Sequence, residues 1–198
     1  INDDDYNNFI NLLSFSDIWY NNFDNKHTRV LLLYSWKMRF FSDYVQQLEM
    51  ESIGKQANPN SIFKNTGQVI FGGFGSTAQH SYFQLLHQGT ASACADIFTI
   101  ESNKSINKLL YAQSQAQAGL LSNGPHEELE SFEQVNGNIP TNLFTLKELN
   151  PKTLGFLIAT WEHRTYVSAK MLQINPFDQY GVSAGKIFAK KYLDEHGG

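Results

Sequence analysis

The chain has only one cysteine, Cys94, among its 198 residues. A single cysteine cannot form an intramolecular disulfide, so a disulfide-stapled scaffold is excluded and a reducing, cytoplasmic location is favoured. Cys94 stands in a stretch of small and apolar residues, without a neighbour that would activate a thiol. We therefore expect it to be a buried, unreactive side chain.

Runs of basic residues and long apolar runs are absent as well. The 15 Lys and Arg residues are outnumbered by 19 Asp and Glu residues, and the formal net charge is -4. This balance predicts no nucleic acid and no anionic membrane as a partner. No apolar run approaches the length of a membrane-spanning helix. Residues 1–5, which include three aspartates, resemble a start within a longer protein rather than a signal peptide. A small polar molecule is the favoured ligand class.

What the chain does contain is an alternation of strand-like and helix-like segments. Its hydrophobic fraction of 41% suffices for one domain with an ordinary core. Short apolar runs predict strands at 29–34, 68–71, 96–100 and 142–146. Helical spacing predicts helices at 6–23, 37–50, 79–87, 105–121, from 150–151 onward and at 183–193. This alternation predicts an α/β fold in three layers, with helices on both faces of a mainly parallel sheet.

Helical periodicity also predicts which side chains face the core. It places Phe40 on the apolar side of the second helix, and Leu109 and Ala112 on the inner side of helix 105–121. Asn150 followed by Pro151 predicts the start of a helix, because proline is favoured at the first helical position.

A glycine-rich segment, 69–90, predicts a strand, a tight turn and a helix in succession. The turn would contain Gly72, Gly73 and Gly75, and His80 would lie at the N-terminus of the helix, where the macrodipole favours a neutral imidazole. A hydrogen-bonded turn histidine is the ordinary alternative. The turn resembles a phosphate-binding loop but lacks the P-loop lysine and the Rossmann glycine spacing, so it is weak evidence for a nucleotide site.

Five further polar residues also have an ordinary structural interpretation. Gln47 and Glu51 are four residues apart on a helix that Gly54 is expected to end, so they share one face, which is usually a solvated one. Lys186 in the last helix is by itself a solvated lysine. Glu162 and His163 do not form a metal site, because adjacent helical residues point in different directions and no third ligand is near them in sequence.

Several segments resemble the glucose-6-phosphate isomerase family. Residues 46–55, Gln-Gln-Leu-Glu-Met-Glu-Ser-Ile-Gly-Lys, are similar to its QQxDMESNGK segment. Residues 72–90 are similar to GExGTNGQHxFxQLxHQGT, and residues 177–186 are similar to FDQWGVELGK. Shorter matches at 18–22, 137–142 and 161–163 fall in the same order along the chain. Matches in register over almost the whole chain are far more specific than a lone glycine turn.

The resemblance implies a sugar isomerase (SIS) domain of flavodoxin-like architecture. Residues 1–198 would form the C-terminal SIS domain of an enzyme with two such domains, without its N-terminal domain and its extreme C-terminal helix. The activity implied is the reversible interconversion of glucose 6-phosphate and fructose 6-phosphate through a cis-enediol(ate), in glycolysis and gluconeogenesis. This proton transfer has no redox step, so no cofactor and no metal is expected. We expect the 198 residues alone to have negligible turnover.

The resemblance also implies a role for each aligned residue. Glu51 aligns with the base that moves a proton between C1 and C2, and Lys186 aligns with the lysine at the ring oxygen. His80 aligns with the ring-opening histidine, which one subunit of a homodimer contributes to the site of its neighbour. Gln47 and Gln179 align with residues that bind and position the substrate.

The chain departs from the family pattern at a few positions. Ile139 stands where arginine is common, Ser183 where glutamate is common, and Gly73-Phe74 where Glu-Pro is common. None of these is an aligned acid or base, so they bear on loop shape, subunit contacts and efficiency. Two alternatives remain open. A non-catalytic sugar-phosphate-binding SIS module is one, although such a module need not keep Glu51, His80 and Lys186 together. A purely structural or extracellular signalling role is the other, and it would predict an exposed apolar patch independent of the ligand site.

Overall fold

A computed structural model describes residues 3–101, 105–125 and 130–197, without the side chains of 105–107. The strands are β1 (Thr28–Leu33), β2 (Val69–Phe74), β3 (Ala93–Ile100) and β4 (Thr141–Leu146). The helices are α1 (Asp3–Phe23), α2 (Phe41–Ile53), α3 (Gly75–Ala78), α4 (Phe83–Gln88), α5 (Ser105–Asn123), α6 (Pro151–Met171) and α7 (Tyr180–His196), with a short 3-10 turn at Trp36–Met38.

The four strands form one parallel sheet in the order β2-β1-β3-β4. All four predicted strands are present, and the predicted α/β fold with a parallel sheet between helical layers is confirmed. The order is that of flavodoxin-like folds, in which the chain reverses its winding direction between β1 and β3.

Both faces of the sheet are covered by helices. Val30 and Leu32 of β1 pack toward α4 and α5, in a cluster that includes Phe83 and Leu121. The alternate residues of β1, such as Leu31, pack toward α2 and α6 in a second cluster. Since both faces of β1 are buried, its apolar residues are consecutive rather than alternating, as expected for a central parallel strand.

The glycine-rich segment differs from its prediction. Gly72 and Gly73 do not form a tight turn, because β2 continues through both of them to Phe74. A Cβ atom on Gly72 would lie 2.1 Å from the backbone oxygen of Leu31, so this glycine permits the close approach of β2 to β1. The predicted helix 79–87 is replaced by α3 and α4, with a turn at 79–82 between them.

The prediction that certain side chains face the core is also wrong. Phe40 precedes α2 and is 63% exposed, and Leu109 of α5 is 55% exposed. Ala112 is exposed, whereas Ser114 of the same helix is completely buried and donates a hydrogen bond to the backbone oxygen of Tyr111. The apolar stripe of α5 is therefore rotated from the predicted one, since alanine and serine are small enough to be buried or exposed.

Asn150 and Pro151 begin α6 as predicted. The Asn150 side chain accepts a hydrogen bond from the Thr153 backbone N–H at 2.9 Å, and Pro151 occupies the first helical position. The helix then buries Leu157 and Trp161 against the sheet. In the part of the chain that the structure describes, no helix is both long and apolar enough to cross a membrane.

Five buried charged side chains join the helices to the sheet. We call this set the ion cluster; its members are Asp17 of α1, Arg29 of β1, Glu49 of α2, Asp96 of β3 and Arg164 of α6.

Each arginine of the ion cluster contacts carboxylates from different elements. Arg164 pairs with Asp17 at 2.6 Å and with Asp96 at 2.9 Å. Arg29 pairs with Asp17 at 2.5 Å, lies 3.7 Å from Asp96 and also contacts Glu49. Because a buried charge without a partner is costly, these contacts require α1, α2 and α6 to occupy defined positions on the sheet.

Two carboxylates of the ion cluster, Glu49 and Asp17, have pKa values shifted in opposite directions. Burial raises the pKa of Glu49, and the attraction of Arg29 only partly offsets it. Burial acts in the same direction on Asp17, but Arg164 and Arg29 together outweigh it and hold the pKa of Asp17 below its ordinary value. The three carboxylates outnumber the two guanidinium groups, so the cluster is neutral when one carboxyl is protonated. Glu49 is the group whose protonation the surroundings favour.

Replacement of Arg164 by methionine is expected to lower the free energy of unfolding by about 3–5 kcal/mol, because Asp17 and Asp96 lose a buried partner. Urea unfolding monitored by circular dichroism measures the change. R39M is the matched control: Arg39 lies over the ring of Trp36 near the surface, so its loss is expected to cost about 1 kcal/mol or less. Equal destabilisation by both variants would contradict the stabilising role of the cluster.

Glu49→Gln is expected to alter the pH dependence of stability. The pKa of Glu49 is higher in the folded protein than in the unfolded protein. Glu49 therefore contributes stability at pH values below its pKa in the unfolded protein, and this contribution is lost as the pH rises through its pKa in the folded protein. The loss can reach about 1.4 kcal/mol per pH unit, and it is absent in E49Q. The unfolding free energy of E49Q relative to wild type should therefore rise with pH above about 4.5. Glu195→Gln, a substitution of an exposed carboxylate, is the control. If the unfolding free energies of E49Q and wild type differed by the same amount at every pH, the raised pKa of Glu49 would be refuted.

Candidate active site

Glu51 and Gln179 line the same open cavity of about 760 Å³. The cavity, which we call the amino-end cavity, lies where β2 begins, between the C-terminal end of α2 and the segment that leads into α7. Its walls are formed by residues 50–51, 54–59, 173–175 and 178–182. The structure thus brings together two predicted site residues that are 128 positions apart in the chain.

The C-terminal end of α2 is held against the edge strand β2. The Gln46 side-chain amide donates to the Ile70 backbone oxygen at 2.7 Å, and the Ile70 N–H donates to the Met50 sulfur at 3.4 Å. Gly54 ends the helix as predicted, with its N–H bonded to the Met50 oxygen. These contacts place Glu51, in the last turn of α2, at the wall of the cavity.

Lys55 joins the two walls of the cavity. Its ammonium donates to the Glu51 backbone oxygen at 2.6 Å and to the Asp178 backbone oxygen, and lies 3.7 Å from the Asp178 carboxylate. The segment carrying Gln179 is therefore tied to the end of α2. Sequence reasoning did not assign Lys55 or Asp178 a role, although both lie inside the segments that resemble the family.

Gln47 lies one turn before Glu51 on α2 and is exposed. Gln47 is not among the described residues that line the amino-end cavity, whereas Glu51 and Gln179 are. Gln47 and Glu51 share a face of the helix, so Gln47 is close to the cavity without forming part of its wall.

His80 lies at the other end of the sheet. It follows β2 and α3, is exposed, and donates its backbone N–H to the Thr77 oxygen at 3.0 Å. The prediction that it occupies a helix N-terminus is wrong, because α4 begins only at Phe83. The macrodipole argument for its neutral form therefore does not apply, since His80 follows the C-terminal end of α3.

Lys186 lies on α7, seven residues after Gln179, and it does not line the amino-end cavity as the structure describes it. None of the described residues of α7 is buried, and its apolar side chains Ile187, Phe188 and Tyr192 are at least 65% exposed. Packing within the described residues therefore does little to determine where Lys186 lies relative to the cavity.

The other two polar candidates, His87 and Cys94, lie in surroundings that indicate a structural role. His87 is half-buried, its Nε2–H donates a hydrogen bond of 2.9 Å to the Gln117 side-chain oxygen, and burial lowers its pKa. Cys94 is buried as expected, and burial raises the pKa of its thiol to about 12. Among the residues that the structure describes, no group of three His, Cys, Asp or Glu side chains could hold a metal ion.

The chain is similar in sequence to known glucose-6-phosphate isomerases. A 40% identical relative, a glucose-6-phosphate isomerase of Wigglesworthia glossinidia brevipalpis, aligns with 91% of this chain, which covers 37% of that protein. A glucose-6-phosphate isomerase of Legionella pneumophila is also 40% identical, over 91% of this chain and 36% of its own length. The chain thus spans little more than a third of the curated relatives it matches.

A solved structure shows the same fold. The crystal structure of a glucose-6-phosphate isomerase from Chlamydia trachomatis superposes with a TM-score of 0.84 at 29% identity, over 92% of this chain and 38% of that one. The family model described as phosphoglucose isomerase matches residues 5–197. Because this family model matches nearly the whole chain, the chain belongs to the phosphoglucose isomerase family.

Proposed function

We propose that this chain is part of an enzyme that interconverts glucose 6-phosphate and fructose 6-phosphate by proton transfer between C1 and C2. The observation that carries the proposal is the shared cavity of Glu51 and Gln179 in a chain that belongs to the phosphoglucose isomerase family. A volume of about 760 Å³ is in the range of pockets that hold small metabolites.

Glu51 is the proposed base. Its carboxylate is half-buried at the cavity wall, on a helix end that is bonded to both β2 and the opposite wall. A rigidly positioned carboxylate can accept a proton from one carbon and return it to the next, which is the transfer an enediol(ate) mechanism requires. Gln179, and Gln47 one turn from Glu51, are proposed to position the sugar through their amides.

His80 is proposed to act in the site of a second subunit. It is exposed and lies at the opposite end of the sheet from the amino-end cavity, so it does not reach Glu51 of its own chain. A homodimer that places this turn against the partner's cavity would supply the ring-opening group there. Lys186 is proposed to reach the ring oxygen once α7 packs against the rest of the protein.

The chain is proposed to be the C-terminal SIS domain of a cytoplasmic enzyme with two such domains. It matches little more than a third of its relatives' length, so other parts of such an enzyme would supply the contacts to the substrate phosphate. No cofactor is assigned to the reaction, because isomerisation by proton transfer exchanges no electrons with the protein.

Glu51→Gln in the full-length protein is expected to lower kcat by at least about 100-fold, because general acid–base groups contribute roughly 10²–10⁴-fold. The KM should change little, since glutamine keeps the shape and hydrogen-bonding capacity of the side chain. A coupled assay that follows glucose 6-phosphate formation measures both constants. Glu195→Gln, an exposed carboxylate on α7, is the control; unchanged turnover in E51Q would show that Glu51 is not the base.

The contribution of His80 across subunits can be tested with mixed dimers. His80→Asn and Glu51→Gln should each abolish activity in homodimers. When the two variants are combined at random, half of the dimers are hybrids with one intact site, so about a quarter of wild-type activity should return. Activity of the mixture that stays at the level of the separate variants would mean that His80 does not act in trans.

A further inference from the structure

The two walls of the amino-end cavity are attached to the rest of the protein in different ways. The wall that carries Glu51 is the last turn of α2, which Gln46 and Met50 bond to the backbone of β2. The wall that carries Gln179 leads into α7, and none of the described residues of α7 is buried. The position of Gln179 therefore depends on the segment before α7 rather than on the packing of that helix.

The segment before α7 is folded as a turn by its own polar side chains. The Asn175 side-chain amide donates to the Asp178 carboxylate at 2.8 Å, and the Asn175 side-chain oxygen accepts from the Phe177 backbone N–H at 3.1 Å. Asparagine turns of this kind fix the local backbone. They set the shape of the segment, whereas its distance from Glu51 has to be set by contacts with α2.

Lys55 makes those contacts. Its ammonium donates to the backbone oxygens of Glu51 and Asp178, the first at 2.6 Å, and lies 3.7 Å from the Asp178 carboxylate. We call this arrangement the lysine clasp. The side chains of Lys55 and Asp178 are only 17% and 26% exposed, so solvent screens their attraction less than it screens an ion pair on the open surface.

The end of α2 favours a cation at this position. The Lys55 backbone N–H bonds to the Ile53 oxygen, so it does not continue the helix by bonding to the Glu51 oxygen. The Lys55 ammonium binds the Glu51 oxygen instead, and the negative end of the helix macrodipole attracts it. The Thr66 hydroxyl donates to the Lys55 backbone oxygen at 2.7 Å, which fixes the backbone from which the side chain extends.

We propose that Lys55 is a positioning residue of the isomerase site. Through the lysine clasp it sets the distance between the Glu51 carboxylate and the Gln179 amide, and it acts on the sugar through Gln179. This role rests on the proposed isomerase function and names what holds the base and a substrate-positioning group in register. Lys55 also lines the cavity, but an ammonium has three N–H donors and the clasp already directs them to protein oxygens.

A double-mutant cycle in the full-length protein tests the proposal. K55M and Q179A should each lower kcat/KM about tenfold, because a misplacement of about 1 Å can cost up to about 100-fold. In Q179A the group that Lys55 positions is already missing, so K55M/Q179A should be no worse than Q179A to within about twofold. Direct contact of Lys55 with the sugar would instead give losses that multiply.

Hydrogen exchange supplies a measurement that does not depend on catalysis. Backbone amides of residues 175–183 should exchange faster in K55M than in wild type, because the segment loses its attachment to α2. K55R keeps the charge and the donors, so its kcat/KM should lie between those of wild type and K55M. K64M is the matched control: Lys64 is exposed and donates within its own loop, to the Ser61 backbone oxygen at 2.9 Å, so K64M should behave like wild type.

The results distinguish the positioning role from the isomerase function. Full-length wild type without isomerase activity would overturn both. Active wild type would leave the isomerase function in place, and the positioning role alone would then be overturned by unchanged kcat/KM in K55M, by losses that multiply in K55M/Q179A, or by unchanged exchange at 175–183. Urea unfolding shows whether K55M is folded; if it is not, D178N and D178N/Q179A complete the same cycle from the other side of the clasp.

Discussion

Pairing of the buried charges in the ion cluster is the constraint on which the arrangement of the helices depends. Apolar packing alone would hold α1, α2 and α6 on the sheet, but such packing tolerates small shifts. Five charged groups in a water-excluded space do not tolerate them, because each displaced partner leaves a charge uncompensated. Arg164 illustrates this, since its fork of donors bridges Asp17 of one helix and Asp96 of a strand at the same time.

The position of α2 in this arrangement has a functional consequence. Glu49, in the C-terminal half of α2, binds Arg29 of β1. Gln46 and Met50 bind the backbone of β2 and so hold the same part of the helix. Glu51 follows directly and projects toward the amino-end cavity. A carboxylate that must reach specific sugar carbons is thus carried by a helix whose position is set by both charge pairing and strand edge contacts.

The helix also spans the two ends of the sheet, which carry different polar groups. Open parallel sheets usually bind ligands at the carboxyl ends of their strands, and His80 lies at that end. Glu51 and Gln179 instead meet at the amino end, where Lys55 ties the end of α2 to the segment before α7. In this family member the two ends of one sheet therefore carry different groups, Glu51 at one end and His80 at the other.

The sequence by itself determined the four strands, the α/β class, the start of α6 and the family, because each rests on local patterns. A continuous apolar run is enough to predict a strand that is buried on both faces, as β1 is. Short-range patterns did not determine the buried side of α5 or the split of the predicted helix 79–87, because small residues and closely packed glycines acquire their environment from distant parts of the chain. Only the tertiary structure placed Arg164 beside Asp17, 147 residues away, and put Glu51 and His80 at opposite ends of the sheet. Such contacts depend on how the elements pack in three dimensions, and the spacing of residues along the chain does not encode them directly.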